Sequence, residues 1–297
     1  MIHIITINPF IENRNYGTFD ENHSFTIMTS VFRYGGLGCD IAAFLKPQTK
    51  DVRLYGYRDN SASPLSENAD YWISDITLPY RNTLIDADKV VRIDDKEPDI
   101  DKTYLSLLLS RLSQEIKAND IVIIADTSKR FSKAQLSQFI DTINQKAAIV
   151  ILNTNKANLT LLKEHSINVV CLKHEDIDLY MQNPAVKTSQ LVKWIRDNYQ
   201  SDVSIVMYPI SVSRLLVLNK DQAWLAENNL EFKSDEEYLA ALNASLAYSA
   251  LHQEDAYTVM KRAVAYMSGA ALSSGIDPIQ KAVLKQLMEK VKIYPLK

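Results

Sequence analysis

Short apolar runs separated by segments of helical periodicity dominate the chain. Ile2–Ile7, Val52–Tyr57, Ile121–Ala125, Ala148–Leu152, Val169–Leu172 and Ser204–Tyr208 are mostly β-branched and uninterrupted, the pattern of strands covered on both faces. Between them Gly38–Lys46, Asp101–Lys117, Ser132–Gln145 and Thr188–Tyr199 are amphipathic. Ser132 and Gln135 have the spacing of a capping box, which marks the start of the third of these helices. Such alternation predicts an α/β fold, a mostly parallel sheet wrapped by helices. Beyond Tyr208 the pattern changes. Arg214–Leu218 and Gln222–Leu225 read as a short antiparallel pair, followed by helices over Asp235–Leu251, Glu254–Ala271 and Pro278–Val291. Phe25–Arg33 and the stretch from Asp70 to Asp94 have β character with polar alternation, predicting a small sheet beside the main one. No repeat or low-complexity linker divides the chain. The expectation is a single domain over 1–297, with a lid sheet drawn from about 10–34 and 70–98.

Composition narrows the function classes. The 297 residues are 46% hydrophobic with a formal net charge of −3, and Lys and Arg form no cluster. A nucleic-acid partner, which needs basic side chains gathered on one face, is not expected. Two cysteines, Cys39 and Cys171, are too few for a disulfide framework and suit a reducing cytosol. No apolar run has the length of a membrane helix, and the first residues read as a strand rather than a signal peptide. A cytoplasmic protein without a membrane partner is therefore expected. The chain has only 7 glycines, where ordinary usage gives about 20. Glycine lets backbone amides crowd around a phosphate, so this chain has little material for anion-cradling loops.

Familiar catalytic signatures are missing: there is no P-loop lysine motif, dinucleotide fingerprint, G-x-S-x-G elbow or H-E-x-x-H. Cys171, His174 and Glu175 lie close in sequence, but nothing nearby completes a metal site, and none is predicted. One glycine cluster stands out, Tyr34-Gly35-Gly36-Leu37-Gly38-Cys39-Asp40, leading into a helix. It reads equally well as an anion or sugar-hydroxyl site at a helix N-terminus and as a tight turn that needs small residues.

Together with the chain start, this cluster resembles the ribokinase-like (PfkB) carbohydrate kinases, nearest the 1-phosphofructokinase and tagatose-6-phosphate kinase branch. Asn8-Pro9-Phe10-Ile11-Glu12 stands in place of the N-P-x-x-D segment, and Gly35 to Ala43 in place of G-G-K-G-x-N-x-A-R. The helices at Tyr238–Leu251 and Tyr257–Ala271, then Gly275 and the closing Val291–Tyr294, follow the order of the family's last landmarks. The resemblance implies a ribokinase-like fold with a small β lid. It also implies transfer of the ATP γ-phosphate, with Mg2+, to a small sugar or sugar phosphate, and a homodimer through the lid.

Residue by residue, the resemblance puts Glu236, with Asp235 beside it, at the catalytic base. Glu12, Gly35, Gly36, Gly38, Asp40 and Arg81 fall at sugar-binding positions, and Lys173, Glu175, Ser211, Ser213 and Lys233 at nucleotide-binding positions. The motifs are degenerate. The G-A-G-D segment reads Lys233-Ser234-Asp235-Glu236, and the nucleotide turn Ile210-Ser211-Val212-Ser213 has no glycine. Leu37, Asp40 and Ala43 replace the motif's lysine, asparagine and arginine. Ser234 to Glu237 has capping-box spacing, with acids filling the first helical turn. Unit charges about 4 Å apart repel by about 4 kcal/mol at an effective dielectric near 20. These features imply a pseudokinase or a weakly active relative, needing ATP and Mg2+ only if active. The alternative is an active hexose-phosphate kinase with an altered site.

Overall fold

A computed structural model describes residues 1–57, 71–73, 78–86, 89–95, 102–125, 132–154, 165–172, 187–199, 203–230, 237–272 and 279–296. The strands are β1 (Ile2–Ile5), β2 (Phe10–Phe19), β3 (Phe25–Gly35), β4 (Val52–Tyr57), β5 (Tyr71–Ile73), β6 (Tyr80–Ile85) and β7 (Val90–Asp94). They continue as β8 (Ile121–Ile124), β9 (Ile149–Thr154), β10 (Ile167–Leu172), β11 (Val203–Ser211), β12 (Arg214–Leu218), β13 (Ala223–Glu227) and β14 (Lys292–Leu296). The helices are α1 (Leu37–Leu45), α2 (Lys102–Glu115), α3 (Lys133–Gln145), α4 (Thr188–Tyr199), α5 (Tyr238–Leu251), α6 (Ala256–Leu272) and α7 (Lys281–Lys290).

Ten strands form the main sheet in the order β14-β13-β12-β11-β10-β9-β8-β1-β4-β5. All pairs from β11 to β5 are parallel, and β12, β13 and β14 add antiparallel neighbours at one edge. The β-branched runs account for this sheet. In β1, Ile2 and Ile4 pack with α1, α5, α6 and α7 in one apolar cluster. Ile5 belongs to a second cluster with α2, α3 and α4, as a two-residue side-chain period requires. The Ser132–Gln135 capping box forms as expected, with the Gln135 amide donating to Ser132 Oγ at 3.2 Å and the Ser132 amide to Gln135 Oε1 at 3.0 Å.

The second sheet has the order β3-β2-β6-β7. Its β2–β3 hairpin is antiparallel, with a bulge between Tyr16 and Gly17. The stretch expected to lie wholly in this sheet divides, because Tyr71–Ile73 pairs with β4 at the edge of the main sheet. The chain leaves β1 toward β4 on one side and returns to β8 on the other. The β1/β8 boundary is therefore the sheet's topological switch point, where open α/β sheets place their ligands.

Candidate functional site

The site is built where β1 ends and the small sheet begins. Three glycines set its geometry, each for a steric reason. A Cβ on Gly35 would lie 2.2 Å from the Phe10 ring, and one on Gly38 would lie 2.5 Å from Thr6 Cβ. Gly36 has φ +112° and caps α1, so only glycine adopts this turn without strain. Of the two readings of the cluster, the packing one therefore accounts for all three positions. Side chains there would push β1, β2 and α1 apart.

Charged side chains from four elements converge above this turn. Glu12 and Arg14 come from β2, Arg33 from β3, Asp40 from α1, and Glu237 from the N-cap of α5. Arg14 Nε donates to Glu12 Oε2 at 3.0 Å, and its Nη2 donates to Glu237 Oε1. Arg33 donates to Glu12 Oε2 at 2.7 Å, to Glu237 Oε1 at 3.1 Å, and to Asp40 Oδ1. Thr83 of β6 donates its hydroxyl to Glu12 Oε1 at 2.6 Å. The five charged side chains are 2–11% exposed.

Burial and charge set the protonation of this cluster. For Glu12, burial would raise the carboxyl pKa, but Arg33 and Arg14 with the Thr83 hydrogen bond pull it below the ordinary range. Burial likewise opposes the positive charge on Arg14 and Arg33, yet the surrounding carboxylates hold both more firmly protonated than usual. Asp40 goes the other way. Burial pushes it up to about 7, Arg33 offsets part of this, and neighbouring Glu237 adds to it. Among the described residues, three acids against two guanidiniums leave one negative charge in excess (2 − 3 = −1), and Glu237 Oε2 is buried with no hydrogen-bond partner among them.

The structure thus joins Glu12 and Asp40, two of the expected sugar-binding residues, but not Arg81. Arg81 pairs with Asp94 across β6 and β7 and lies 4.1 Å over the Phe10 ring. It borders a cleft of about 50 Å³, lined also by Asn8, Tyr80 and Asp95, far below the roughly 300–1,000 Å³ of ordinary small-molecule sites. Ser211 and Ser213 share the β11–β12 turn. The Ser213 amide donates to Ser211 Oγ at 3.3 Å, the Asn228 amide donates to the Ser213 carbonyl, and Ser268 Oγ donates to the Val212 carbonyl. Lys173, Glu175, Lys233, Asp235, Glu236 and Gly275 lie outside the described residues.

The expected capping box on α5 is corrected. The helix begins at Tyr238, with Glu237 as N-cap in a left-handed conformation (φ 59°) and no side-chain cap. Its carboxylate turns to Arg14 and Arg33 because two buried guanidiniums attract it more strongly than a helix amide does.

Sequence reasoning missed Arg14, Arg33 and the role of Glu237. A signal existed for Arg33: the Asp20–Ser24 turn closes a hairpin that sets it opposite Glu12. Asn153 and Asn243 were missed as well. Both are fully buried, and they exchange amide hydrogen bonds of 2.8 Å that tie α5 to the centre of the sheet.

No family model and no curated relative matches the chain. Solved structures do. A protein described as a possible 1-phosphofructokinase from Thermotoga maritima superposes with a TM-score of 0.84 at 13% identity, over 100% of this chain and 99% of that one. Phosphofructokinase-2 from Escherichia coli in complex with fructose-6-phosphate gives 0.79 at 12% identity, over 97% and 98%. The tetrameric inhibited form of that enzyme also gives 0.79, at 13% identity with the same coverage. The chain therefore has the ribokinase-like α/β fold, and its structural neighbours are phosphofructokinase-type sugar kinases. Among the described residues no helix is long and apolar enough to cross a membrane.

Proposed function

We propose that this protein is a PfkB-type sugar or sugar-phosphate kinase homologue whose phosphotransfer site is degenerate, a pseudokinase or at most a weakly active enzyme. One observation carries the reading: Glu12, Arg14, Arg33, Asp40 and Glu237 satisfy one another at the switch point. Both guanidiniums that could meet a phosphate are held by internal carboxylates. With Asp40 ionised, the excess negative charge opposes an incoming phosphoryl group, by about 4 kcal/mol for one pair of like charges at 4 Å and a dielectric near 20. Of the positions that the resemblance assigns to the nucleotide, Ser211 and Ser213 are among the described residues. The Ser211–Ser213 turn uses its own polar groups internally, and the glycines of α1 serve packing.

A second reading, an active hexose-phosphate kinase with an altered site, has one observation in its favour. Glu237 Oε2 is free at the start of α5, beside the segment where the resemblance puts the base. Calorimetric titration with ATP·Mg2+, and separately with fructose 1-phosphate, tagatose 6-phosphate and the free hexoses, divides the two. The degenerate reading expects no nucleotide heat. Nucleotide binding that tightens with a sugar phosphate would favour the active enzyme. Sugar binding alone would leave a sensor.

The lid also supports a homodimer. Ile27, Met28, Val31 and Phe32 of β3 and Val90 and Ile93 of β7, the two edge strands of the small sheet, are 42–71% exposed, and apolar side chains gathered in the open on one element mark an interaction surface. The tetrameric form of the Escherichia coli enzyme shows that this fold supports oligomers.

A further inference from the structure

The charge cluster has a second property, independent of whether phosphotransfer survives. Its members belong to two bodies. Glu12, Arg14 and Arg33 stand on the small sheet, while Asp40 and Glu237 stand on helices packed against the main sheet. Every ion pair of Arg33 with Asp40, and of either arginine with Glu237, therefore crosses from lid to body. We propose that the small sheet is held over the site by a proton-dependent latch, in which Arg14 and Arg33 grip Asp40 and Glu237 and closing takes up one proton.

The charge count requires the proton. With all three acids ionised the closed cluster carries one uncompensated negative charge out of water, an arrangement that costs several kcal/mol unless it is neutralised. One proton balances it, and Asp40, held by Arg33 at the edge of the cluster, is the acid that takes it, with burial raising its proton affinity in the same sense. The groups facing Asp40 are Arg33 from β3, Arg14 and Glu12 from β2, and Glu237 from α5. Thr6, just past β1, lies against Gly38, and the one titratable side chain of β1, His3, is engaged by Tyr55 and Asp120. From β4, Val52 and Leu54 join the apolar cluster around α1, while Arg53 is engaged by Glu115 of α2.

When the lid lifts, Asp40 regains water and titrates in the ordinary carboxylate range. The closed state thus binds more protons than the open one above that range. Linkage makes closure strongest at mildly acidic pH, weakening as pH rises through about 7.

Hydrogen exchange on the full chain, read peptide by peptide and corrected for intrinsic rates, tests this at about pH 6 and about pH 8. Protection of peptides from β2 and β3 is expected to be about tenfold lower at the higher pH, with β8 and β9 unchanged. Asp40→Asn should abolish the difference and keep the lid protected at both values. Glu237→Gln, which removes the charge excess while leaving Asp40 in place, should also flatten it and serves if the first variant does not fold. Lid protection independent of pH in the natural chain would overturn the latch. So would a change shared equally by β8 and β9, or one that persists in the variants.

Discussion

Glu12 receives more of the cluster's hydrogen bonds than any other acid, from Arg14, Arg33 and Thr83, and is almost wholly buried. Replacing it leaves two buried guanidiniums short of a partner and a buried hydroxyl without an acceptor. Breaking one member out of a buried ionic network ordinarily costs about 3–5 kcal/mol. Glu12→Ala should therefore lower unfolding stability by about 3 kcal/mol in urea titration. A loss under about 1 kcal/mol would mean that the network is solvated. Stability should also depend on pH with two signs. Glu12, whose pKa folding lowers, contributes stability that is lost as pH falls below the ordinary glutamate range. Asp40, whose pKa folding raises to about 7, contributes most at acidic pH, and that contribution is lost as pH rises through neutrality. The urea midpoint should drop between about pH 6 and pH 8, and Asp40→Asn should remove the drop.

At the scale of the element, the turn between β3 and α1 decides whether the lid reaches the body in register. Gly36→Ala would place a Cβ 2.9 Å from the Asn8 carbonyl at a φ of +112°, a strain of about 1–3 kcal/mol. It should lower the melting temperature and loosen protection of β2 and β3 before that of β8, read by calorimetry and hydrogen exchange. The main elements were legible because their patterns are local. Short strand-like runs marked β4 and β12 with their observed limits, and helical period marked α4. What the sequence could not show was direction. Ser234 to Glu237 satisfies a capping box on paper, but the Glu237 side chain answers to Arg14 and Arg33, more than 200 residues away. Arg14 likewise has no local reason to matter. Its partners are fixed by how the hairpin bulges at Tyr16 and by where α5 begins. The family likeness singled out Glu12 and Asp40, which the structure brings into one cluster, while Arg14 and Arg33, which join them, lie outside the motifs that carried it.

For the whole molecule, two faces of the lid have opposite chemistry. The one toward the body is ionic, and β3 and β7 carry exposed apolar side chains. A dimer through those strands accounts for Met28 and Phe32, 71% and 55% exposed. Sedimentation velocity should give twice the mass of the chain, and Phe32→Asp should return it to one; a monomer at micromolar concentration would remove the dimer from the account.

The central claim is the proposal that Arg14 and Arg33 are held by internal carboxylates and so are not available to a phosphate. ADP release from ATP·Mg2+, measured with saturating fructose 1-phosphate, tagatose 6-phosphate or fructose 6-phosphate, tests it most directly. The account predicts a rate at or near the protein-free blank, far below about 1 s⁻¹, with every sugar phosphate. Turnover of about 1 s⁻¹ or faster, the ordinary enzymatic range, would contradict it.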